Sequence, residues 1–364
     1  MRKIKKIIKR ILYFINETRF KVIKVETKKS NDAPQFYYNK FEIKKFDLNL
    51  KPNYKWVGAV NYNNTMYCIN NKSTDVLKVD LDNDSISYIK TNLEPTDEFM
   101  WSGGCIYNDK IYGFLRTSND LLCIDPQTDE VCTIDLGLKY KKEHHYGGVL
   151  VNNCIYQPPR NENHILVIDL NDYSTHKINI SPKFIKYKYL SGILHNNGLI
   201  YFFPETNERV LVLDPKTEKI FFMGDVMNCM VFSAVIGKDN NIYGFSGYSK
   251  GILKINPNEN KASMICQNIG IPGCYGSKLG IDGKVYGIIG NGQYIWQFDI
   301  DKQEANQIFD TFDSTLAKCA GGIVSNNGDI YMTPAFGNVL YKIEFNNKEI
   351  IPENLYKQFF DDNY

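Results

Sequence analysis

The sequence predicts an all-β protein, a seven-bladed β-propeller of four-stranded blades that is preceded by a short basic amphipathic helix. An Ile-Tyr-like pair recurs at intervals of 42–45 residues, which is the length of one four-stranded blade. An acidic or amide residue follows each tyrosine of these pairs at a constant distance of 13 residues. The tyrosines are Tyr67, Tyr112, Tyr156, Tyr201, Tyr243, Tyr286 and Tyr331, and the residues that follow them are Asp80, Asp125, Asp169, Asp214, Asn256, Asp299 and Glu344.

Each unit divides into four strands. In the unit around Tyr156, "GGVLVN" predicts the first strand and "CIYQP" the second, and the Asn-Asn pair between them can adopt the positive φ that a tight hairpin turn requires. "HILVID" predicts the third strand. The Asp that ends it begins a turn, because its carboxylate can accept a hydrogen bond from the backbone N–H two residues later. The outer strand follows, and it reads "VCTIDL" in the preceding unit.

Small residues open the inner strands of the units. Seven inner strands converge on one axis, and we expect side chains larger than those of Gly or Ser to collide there. A helical solenoid of similar period is excluded, because the units alternate at period two and carry a turn signal roughly every 8–12 residues. The small pairs are Gly103-Gly104, Gly147-Gly148, Ser191-Gly192, Ser233-Ala234 and Gly321-Gly322.

A segment before the first unit is predicted to close the propeller. "NKFEIKKF", residues 39–46, lies 45 residues before the outer strand of the first unit and alternates apolar and polar side chains. We therefore expect Phe41–Phe46 to pair, as an outer strand, with the blade that contains Tyr331. The competing segment is "NKEIIPEN", residues 347–354, but Pro352 has no N–H and cannot donate a hydrogen bond in the middle of a ladder.

Composition and charge limit the class of protein. The chain has 364 residues, of which 43% are hydrophobic and 23% charged, so it can bury a large core. We divide it into a basic N-terminal segment (1–35), the propeller (36–356) and a tail (357–364). Residues 31–364 carry 32 basic and 39 acidic side chains, and we expect no binding of nucleic acid by this mildly acidic body. Nine cysteines without a C-x-x-C motif predict reduced, mostly buried thiols in a cytoplasmic protein, which we expect to be a monomer.

The N-terminal segment has an amphipathic pattern. Its apolar residues are spaced as one face of a helix, and its basic residues occupy the other faces. This pattern predicts peripheral binding to an anionic membrane surface, on the inner face of the membrane, or docking on an acidic partner. Packing against the flank of the propeller, or disorder, is the alternative. The apolar residues are Ile4, Ile7, Ile8, Ile11, Leu12 and Ile15, and the basic residues are Arg2, Lys3, Lys5, Lys6, Lys9 and Arg10.

The repeat resembles known propeller families. "GG-V-L-x-N-N-x-I-Y-x-x-P … V-L-x-I-D-x-x-T" resembles the kelch and galactose-oxidase-like group, and within it the uncharacterised Gly-Gly-Val-Leu…Ile-Tyr…Pro repeat proteins. "GNVLYKIEF" and "ERVLVLDPKTEKI" are similar to repeats of the streptogramin B lyase type. The resemblance covers about residues 55–352 and implies the propeller fold. The chain lacks the outer-strand Trp of true kelch blades and the Tyr and His ligand set of the copper oxidase, so neither kelch partners nor oxidase chemistry is implied.

Strand direction predicts a ligand site at one end of the axis, which we call the mouth. Three positions of each unit fall there: the residue two before the small pair, the residue before that one, and the residue four after the tyrosine. Aromatic rings beside cations suit a glycan, an acidic ligand or an anionic peptide. The alternative is that the rings only fill the core between blades. The predicted ligand-binding residues are Trp56, Trp101, His145, Tyr189, Lys55, Arg116, Arg160 and Lys188.

Three functions remain open from the sequence. We expect a non-catalytic binding propeller that recognises a glycan, a peptide or a protein partner at the mouth. The alternatives are a structural scaffold and a small-molecule lyase or hydrolase, in which His145 is the general base and Arg160 and Lys188 give cationic support. His145, His164 and Glu143 could approach one another, but no metal-binding spacing such as H-x-x-x-H supports a metal site. No phosphate-binding or dinucleotide-binding motif occurs, so we expect no metal and no cofactor.

Overall fold

The protein is a seven-bladed β-propeller of antiparallel blades, as predicted. The computed structural model describes residues 41–48, 55–94, 98–180, 188–206, 208–311 and 318–346, together with the backbone of residues 20–23. Within these ranges the one helical element is a 3₁₀ turn, Gln267–Ile269. No described helix has the length and apolar character needed to cross a membrane.

The described part of the chain contains twenty-nine strands, which build the seven blades. Strands β1 (Phe20–Ile23) and β2 (Phe41–Asp47) precede the first blade. Blades 1 to 3 consist of β3 (Trp56–Tyr62), β4 (Thr65–Asn70), β5 (Val76–Asp80), β6 (Ile86–Ile89), β7 (Trp101–Tyr107), β8 (Lys110–Leu115), β9 (Asp120–Asp125), β10 (Glu130–Asp135), β11 (Val149–Val151), β12 (Cys154–Gln157), β13 (His164–Asp169) and β14 (Thr175–Asn179). Blades 4 to 7 consist of β15 (Tyr189–Leu194), β16 (Ile200–Pro204), β17 (Glu208–Asp214), β18 (Lys219–Met227), β19 (Val235–Ile236), β20 (Ile242–Phe245), β21 (Ile252–Asn256), β22 (Lys261–Ile265), β23 (Cys274–Leu279), β24 (Val285–Ile289), β25 (Tyr294–Asp299), β26 (Glu304–Asp310), β27 (Cys319–Val324), β28 (Ile330–Pro334) and β29 (Val339–Phe345).

The residues of the repeat have the roles that the sequence predicts. Each repeated tyrosine lies on the second strand of its blade with its ring buried. Six of the seven residues that follow at a distance of 13 accept a hydrogen bond from the backbone N–H two residues later, at 2.8–3.1 Å. The seventh, Glu344, is not followed by such a turn, and its carboxylate forms an ion pair with Lys44 on β2 at 2.6 Å.

Glycines let the inner strands of neighbouring blades touch at the axis. Gly58, Gly103 and Gly321 have φ of 72–73°, a backbone conformation that residues other than glycine rarely adopt. A Cβ added to Gly58 would lie 2.6 Å from the Cα of Gly103, and one added to Gly321 would lie 2.9 Å from the Cα of Gly58. The register shifts at each of these glycines, so they are also the positions of β-bulges that bend the inner strand. The predicted crowding of the inner strands is therefore present.

The segment before the first blade closes the propeller as predicted. Strand β2 pairs with β29, from Phe41 opposite Phe345 to Asp47 opposite Val339, and becomes the fourth strand of blade 7. Strand β1 adds a fifth strand outside β2. The helix predicted within residues 4–15, its association with a membrane and the competing segment 347–354 lie outside the described residues and stay predictions, as do the limits of the two terminal segments.

Candidate functional site

A belt of main-chain hydrogen bonds runs around one end of the axis. The N–H of Arg116 donates to the carbonyl of Met100 in the same blade, and the N–H of His144 in the next blade donates to the carbonyl of Arg116, both at 3.0 Å. The same alternation continues through Arg160 and Lys188, again at 3.0 Å. Two of the three predicted positions therefore lie at one end of the axis, which is the mouth. They are the residue three before the small pair and the residue four after the tyrosine.

The belt has a different chemical character on opposite sides of the mouth. Its members in blades 1 to 4 include Lys55, Arg116, Arg160, Lys188 and Glu205. Its members in blades 5 to 7 include Met230 and Lys318. The other members named for these blades have little or no side chain, and they are Gly247, Gly273, Gly290 and Ala335.

The side chains that line the axis are not the predicted ones. One residue from each of several blades enters a single buried cluster, which can only form where the blades meet. These residues lie one position after the predicted ring and one before the small pair. Because strand side chains alternate between faces, the predicted ring points instead into the core between blades. The axial residues are Val57, Tyr146, Leu190, Phe232, Tyr275 and Ala320.

Three predicted aromatic ligand contacts are buried. Trp56, Trp101 and Tyr189 are 0%, 3% and 1% exposed, so none presents a ring face to solvent. The indole N–H groups of the two tryptophans donate to the carbonyls of Asp75 and Asp120, at 2.8 and 2.9 Å. Their shared role is to fix the start of the third strand of their own blade. This placement corrects the expectation of an aromatic platform and corresponds to the alternative that the rings fill the core.

The two predicted lysines also differ from expectation. The ammonium of Lys188 donates to the carbonyl of Glu162 at 2.5 Å and to Asn163 Oδ1 at 2.7 Å, so it binds the loop between β12 and β13. The ammonium of Lys55 lies 4.0 Å from the centre of the Phe336 ring, which is 41% exposed at the rim of the mouth. Lys55 is therefore at the mouth, and Lys188 is a structural contact of blade 3.

The two predicted arginines belong to a network of alternating charges at the mouth. Arg160 donates through Nε and Nη2 to the two carboxylate oxygens of Glu205, each at 2.8 Å. Arg116 and Arg160 both contact Oε1 of Glu143. The guanidinium carbons of Arg116 and Arg160 lie 4.9 and 5.4 Å from the centre of the axial Tyr146 ring. The network fixes two cations and two anions over one aromatic ring.

Burial shifts the pKa values of this network. Desolvation alone would lower the pKa of Arg160, but its hydrogen bonds to Glu205 and the charges of Glu205 and Glu143 raise it. Desolvation also raises the pKa of Tyr146, and the two arginines partly offset this increase. Arg160 is therefore charged at every pH at which the protein is folded, and Tyr146 is a neutral phenol near neutral pH.

An exposed aromatic group faces this network from blades 5 and 6. Tyr248 is 49% exposed, and its hydroxyl contacts the hydroxyl of Tyr275. The amide of Asn291 donates to the Tyr248 hydroxyl at 2.7 Å. The ring of Phe232 lies 4.4 Å from that of Tyr275, so the aromatic group is continuous with the axial cluster. The mouth thus offers ring faces bordered by neutral hydroxyl and amide groups.

His145 lies in a buried histidine cluster at the seam between blades 2 and 3. His144 Nε2 lies 3.0 Å from the carbonyl of Ser118, which can only accept, so this nitrogen carries the proton. His144 Nδ1 is then the acceptor for His145 Nδ1 at 2.9 Å. His145 Nε2 is left as an unprotonated acceptor, without a hydrogen-bond partner in the described part of the chain. The hydroxyl of Tyr140 contacts His164 Nε2 at 2.6 Å and completes the cluster.

The cluster keeps its three histidines neutral. Burial lowers the pKa of His144 and of His164 from 6.5 to about 4, and it lowers the pKa of His145 well below 6.5. Lys177 adds to the shift at His145 and His164. His145 is fully buried, so its free nitrogen has no contact with a ligand at the mouth.

The cluster predicts a loss of stability in mild acid. The unfolded chain takes up protons below pH 6.5, whereas the folded histidines resist protonation until about pH 4. The stability contributed by the neutral rings is therefore complete above pH 6.5 and falls as the pH decreases towards 4. Urea unfolding across this interval should show a decline that is shallower in His164→Gln. The exposed His176→Gln is the control, and an equal effect of both variants would contradict a role of the cluster.

No arrangement of side chains in the described ranges, the histidine cluster included, suggests metal binding. No group of three or more His, Cys, Asp or Glu side chains there could hold a metal ion. The sequence reasoning did not assign Tyr146, Tyr248 and Tyr275 to the mouth, and it considered Glu143 only beside His145 and His164. Along each inner strand, both sets of alternate positions carry apolar residues. A glycine interrupts the alternation, so the sequence does not show which of the two sets faces the axis.

Comparison with known proteins supports the fold and no closer assignment. No family model and no curated protein matches the chain. A streptogramin B lyase structure superposes with a TM-score of 0.70 and 13% identity over 84% of this chain and 98% of that one. A catalytically inactive virginiamycin B lyase from Staphylococcus aureus, with quinupristin, gives a TM-score of 0.69 and 13% identity over 84% and 99% of the two chains.

An extracellular domain of a bacterial signalling system has a similar fold. The extracellular domain of the one-component system BT4673 from B. thetaiotaomicron gives a TM-score of 0.62 and 12% identity over 84% of this chain and 40% of that one. These structures do not support the resemblance to the kelch and galactose-oxidase-like group. The chain is therefore a seven-bladed β-propeller similar in fold to the streptogramin B lyases.

Proposed function

We propose that the protein is a binding propeller and that its mouth recognises a glycan. The observation that carries the proposal is the exposed ring of Tyr248, which stands beside the fixed hydroxyl and amide groups of Tyr275 and Asn291. A sugar ring has an apolar face that packs on an aromatic ring and hydroxyl groups that hydrogen bond at its edge. Ligand sites of closed β folds are usually in such mouths.

The charge of the mouth favours a neutral ligand. Arg116 and Arg160 are each matched with Glu143 or Glu205, so this network of four side chains carries no net charge. The hydroxyl groups of a neutral sugar can accept hydrogen bonds from the arginines and donate them to the glutamates. An acidic ligand would have to compete with the two glutamates for the arginines. Lys55 at the rim suits a polar substituent.

A lyase or hydrolase that uses His145 as its general base has less support. A general base must reach the proton that it removes, either directly or through one water molecule. His145 is fully buried in the seam between blades, and Lys188 binds a loop of blade 3. The likeness in fold to lyases does not replace these contacts, because one fold hosts many activities.

We predict that Tyr248→Ala lowers the affinity for the bound glycan by about tenfold, which corresponds to ~1.4 kcal/mol of lost stacking. The glycan is first identified by screening the full chain on an array that also carries peptides. Calorimetric titration then compares the variant with Phe221→Ala, a matched control with 39% exposure on the outer strand β18. Both variants should melt like the wild type, because both side chains are exposed. Binding of peptides alone, or an equal loss in the control, would contradict the proposal.

A further inference from the structure

Two cysteines face each other across the outer strands of blade 2. Cys123 on β9 is directly opposite Cys132 on β10, and both thiols are free. Residues directly opposite in an antiparallel pair project their side chains from the same face, with Cα atoms about 4.5 or 5.5 Å apart. Both separations fall within the roughly 4.4–6.8 Å that a disulfide spans. The register of the two strands therefore brings the two cysteines within the Cα separation that a disulfide spans.

The other blades show that the fold does not require this pair. The same register position, beside the repeated tyrosine, is occupied by unrelated pairs in the other six blades. These pairs are Lys78 with Ser87, Val167 with His176, Val212 with Phe221, Lys254 with Ser263, Gln297 with Asn306, and Lys342 with Lys44. Two thiols at this position are therefore a feature of blade 2 and not of the repeat.

The two thiols differ in access. Cys132 is exposed, whereas Cys123 is 4% exposed under it. Burial, followed by the proximity of Cys132, raises the pKa of the Cys123 thiol to about 11, and Lys110 partly offsets the increase. An oxidant from solvent therefore reaches Cys132 first, and Cys123 is the neighbouring thiol that can react with the oxidised Cys132.

We propose that Cys123 and Cys132 form a reversible cross-strand disulfide when the protein meets a hydroperoxide. The Cys132 thiolate attacks one peroxide oxygen, the O–O bond breaks, and Cys132 becomes a sulfenic acid while the other oxygen leaves as water or an alcohol. Cys123 then attacks the Cys132 sulfur and gives up its proton, and the S–O bond breaks to release water. The two thiols lose two electrons and two protons in total, and the peroxide is reduced. A small dithiol reverses the reaction by thiol–disulfide exchange.

Thiol counting after exposure to hydrogen peroxide tests the proposal. In denaturant, the number of titratable thiols per chain should be nine before exposure and two fewer after it. Treatment with dithiothreitol should restore all nine. Peptide mapping should place the bond between Cys123 and Cys132 in a monomer. Cys132→Ser should lose no pair of thiols under the same exposure. Cys154→Ser is the matched control in blade 3, and it should still lose two.

Each of the other results would overturn the proposal. These are a wild-type chain that retains all nine thiols, a bond that maps to a different pair, or a Cys132→Ser variant that still loses two. Loss of one thiol per chain with a dimer on a non-reducing gel would show that Cys132 reacts between molecules instead. The glycan proposal is unaffected by any of these results, because blade 2's outer edge is not part of the mouth.

Discussion

Deleting residues 1–50 should lower the free energy of unfolding by several kcal/mol and promote aggregation. The deletion removes β2, whose Phe41, Ile43 and Phe46 are 4–7% exposed against blade 7. Burying one such side chain stabilises a fold by about 1.5–3 kcal/mol. It also leaves β29 as an open edge, with unpaired N–H and C=O groups that can bind a second molecule.

Deleting residues 1–30 provides the control. This shorter deletion removes the four-residue strand β1 but leaves β2 paired with β29, so the melting temperature should change little. The point variant Phe46→Ala should reproduce much of the larger effect, at about 3–5 kcal/mol, while Asp47→Ala on the exposed side should not. A chain that starts at Trp56 and melts like the full chain would show that β2 does not hold the ring closed.

Replacing Arg160 by alanine should destabilise the protein by about 3–5 kcal/mol, because it leaves a buried carboxylate without its partner. Glu205 is 5% exposed and receives both hydrogen bonds of the Arg160 guanidinium. Denaturant unfolding should show the loss at neutral pH.

A double variant separates burial of charge from loss of packing. Arg160→Met with Glu205→Leu removes both charges and keeps much of the volume, so it should recover most of the lost stability. Lys238→Ala, which breaks an exposed pair with Asp301, should have little effect. If Arg160→Ala unfolds like the wild type, Glu205 is hydrated in solution and the network contributes little to stability.

The periodicity of the sequence was sufficient to predict the fold. The tyrosine, the turn residue and the small pair each recur because each occupies the same environment in every blade. Glu344 breaks the turn pattern in the seventh unit, and the reason is physical. Its neighbour is not the next strand along the chain but β2, whose Lys44 pairs with the carboxylate. A departure from the repeat thus marked the place where the ring closes.

The site was predicted only in part. The two arginines lie at the mouth because the position after the second strand is fixed by the belt of hydrogen bonds. The aromatic residues were assigned to the wrong side of the inner strand. Trp56 and Val57 are both apolar neighbours of a glycine, and hydrophobicity does not distinguish the core between blades from the core at the axis. Tyr248 lies in a loop after β20, where no repeat indicates direction.

The way in which the ring closes also imposes a delay on synthesis. The ribosome makes β2 before any blade, yet its partner β29 emerges only after the residues between Asp47 and Val339. At elongation rates of about 5–20 residues per second, the interval is roughly 15–60 s. Throughout it, the edge of β2 that pairs with β29 has no native partner, while six blades can already fold behind it. The closing ladder therefore joins a strand made before the first blade to a strand of the last blade, and a nascent chain that stalls before β29 keeps both an unpaired strand edge and an open circle.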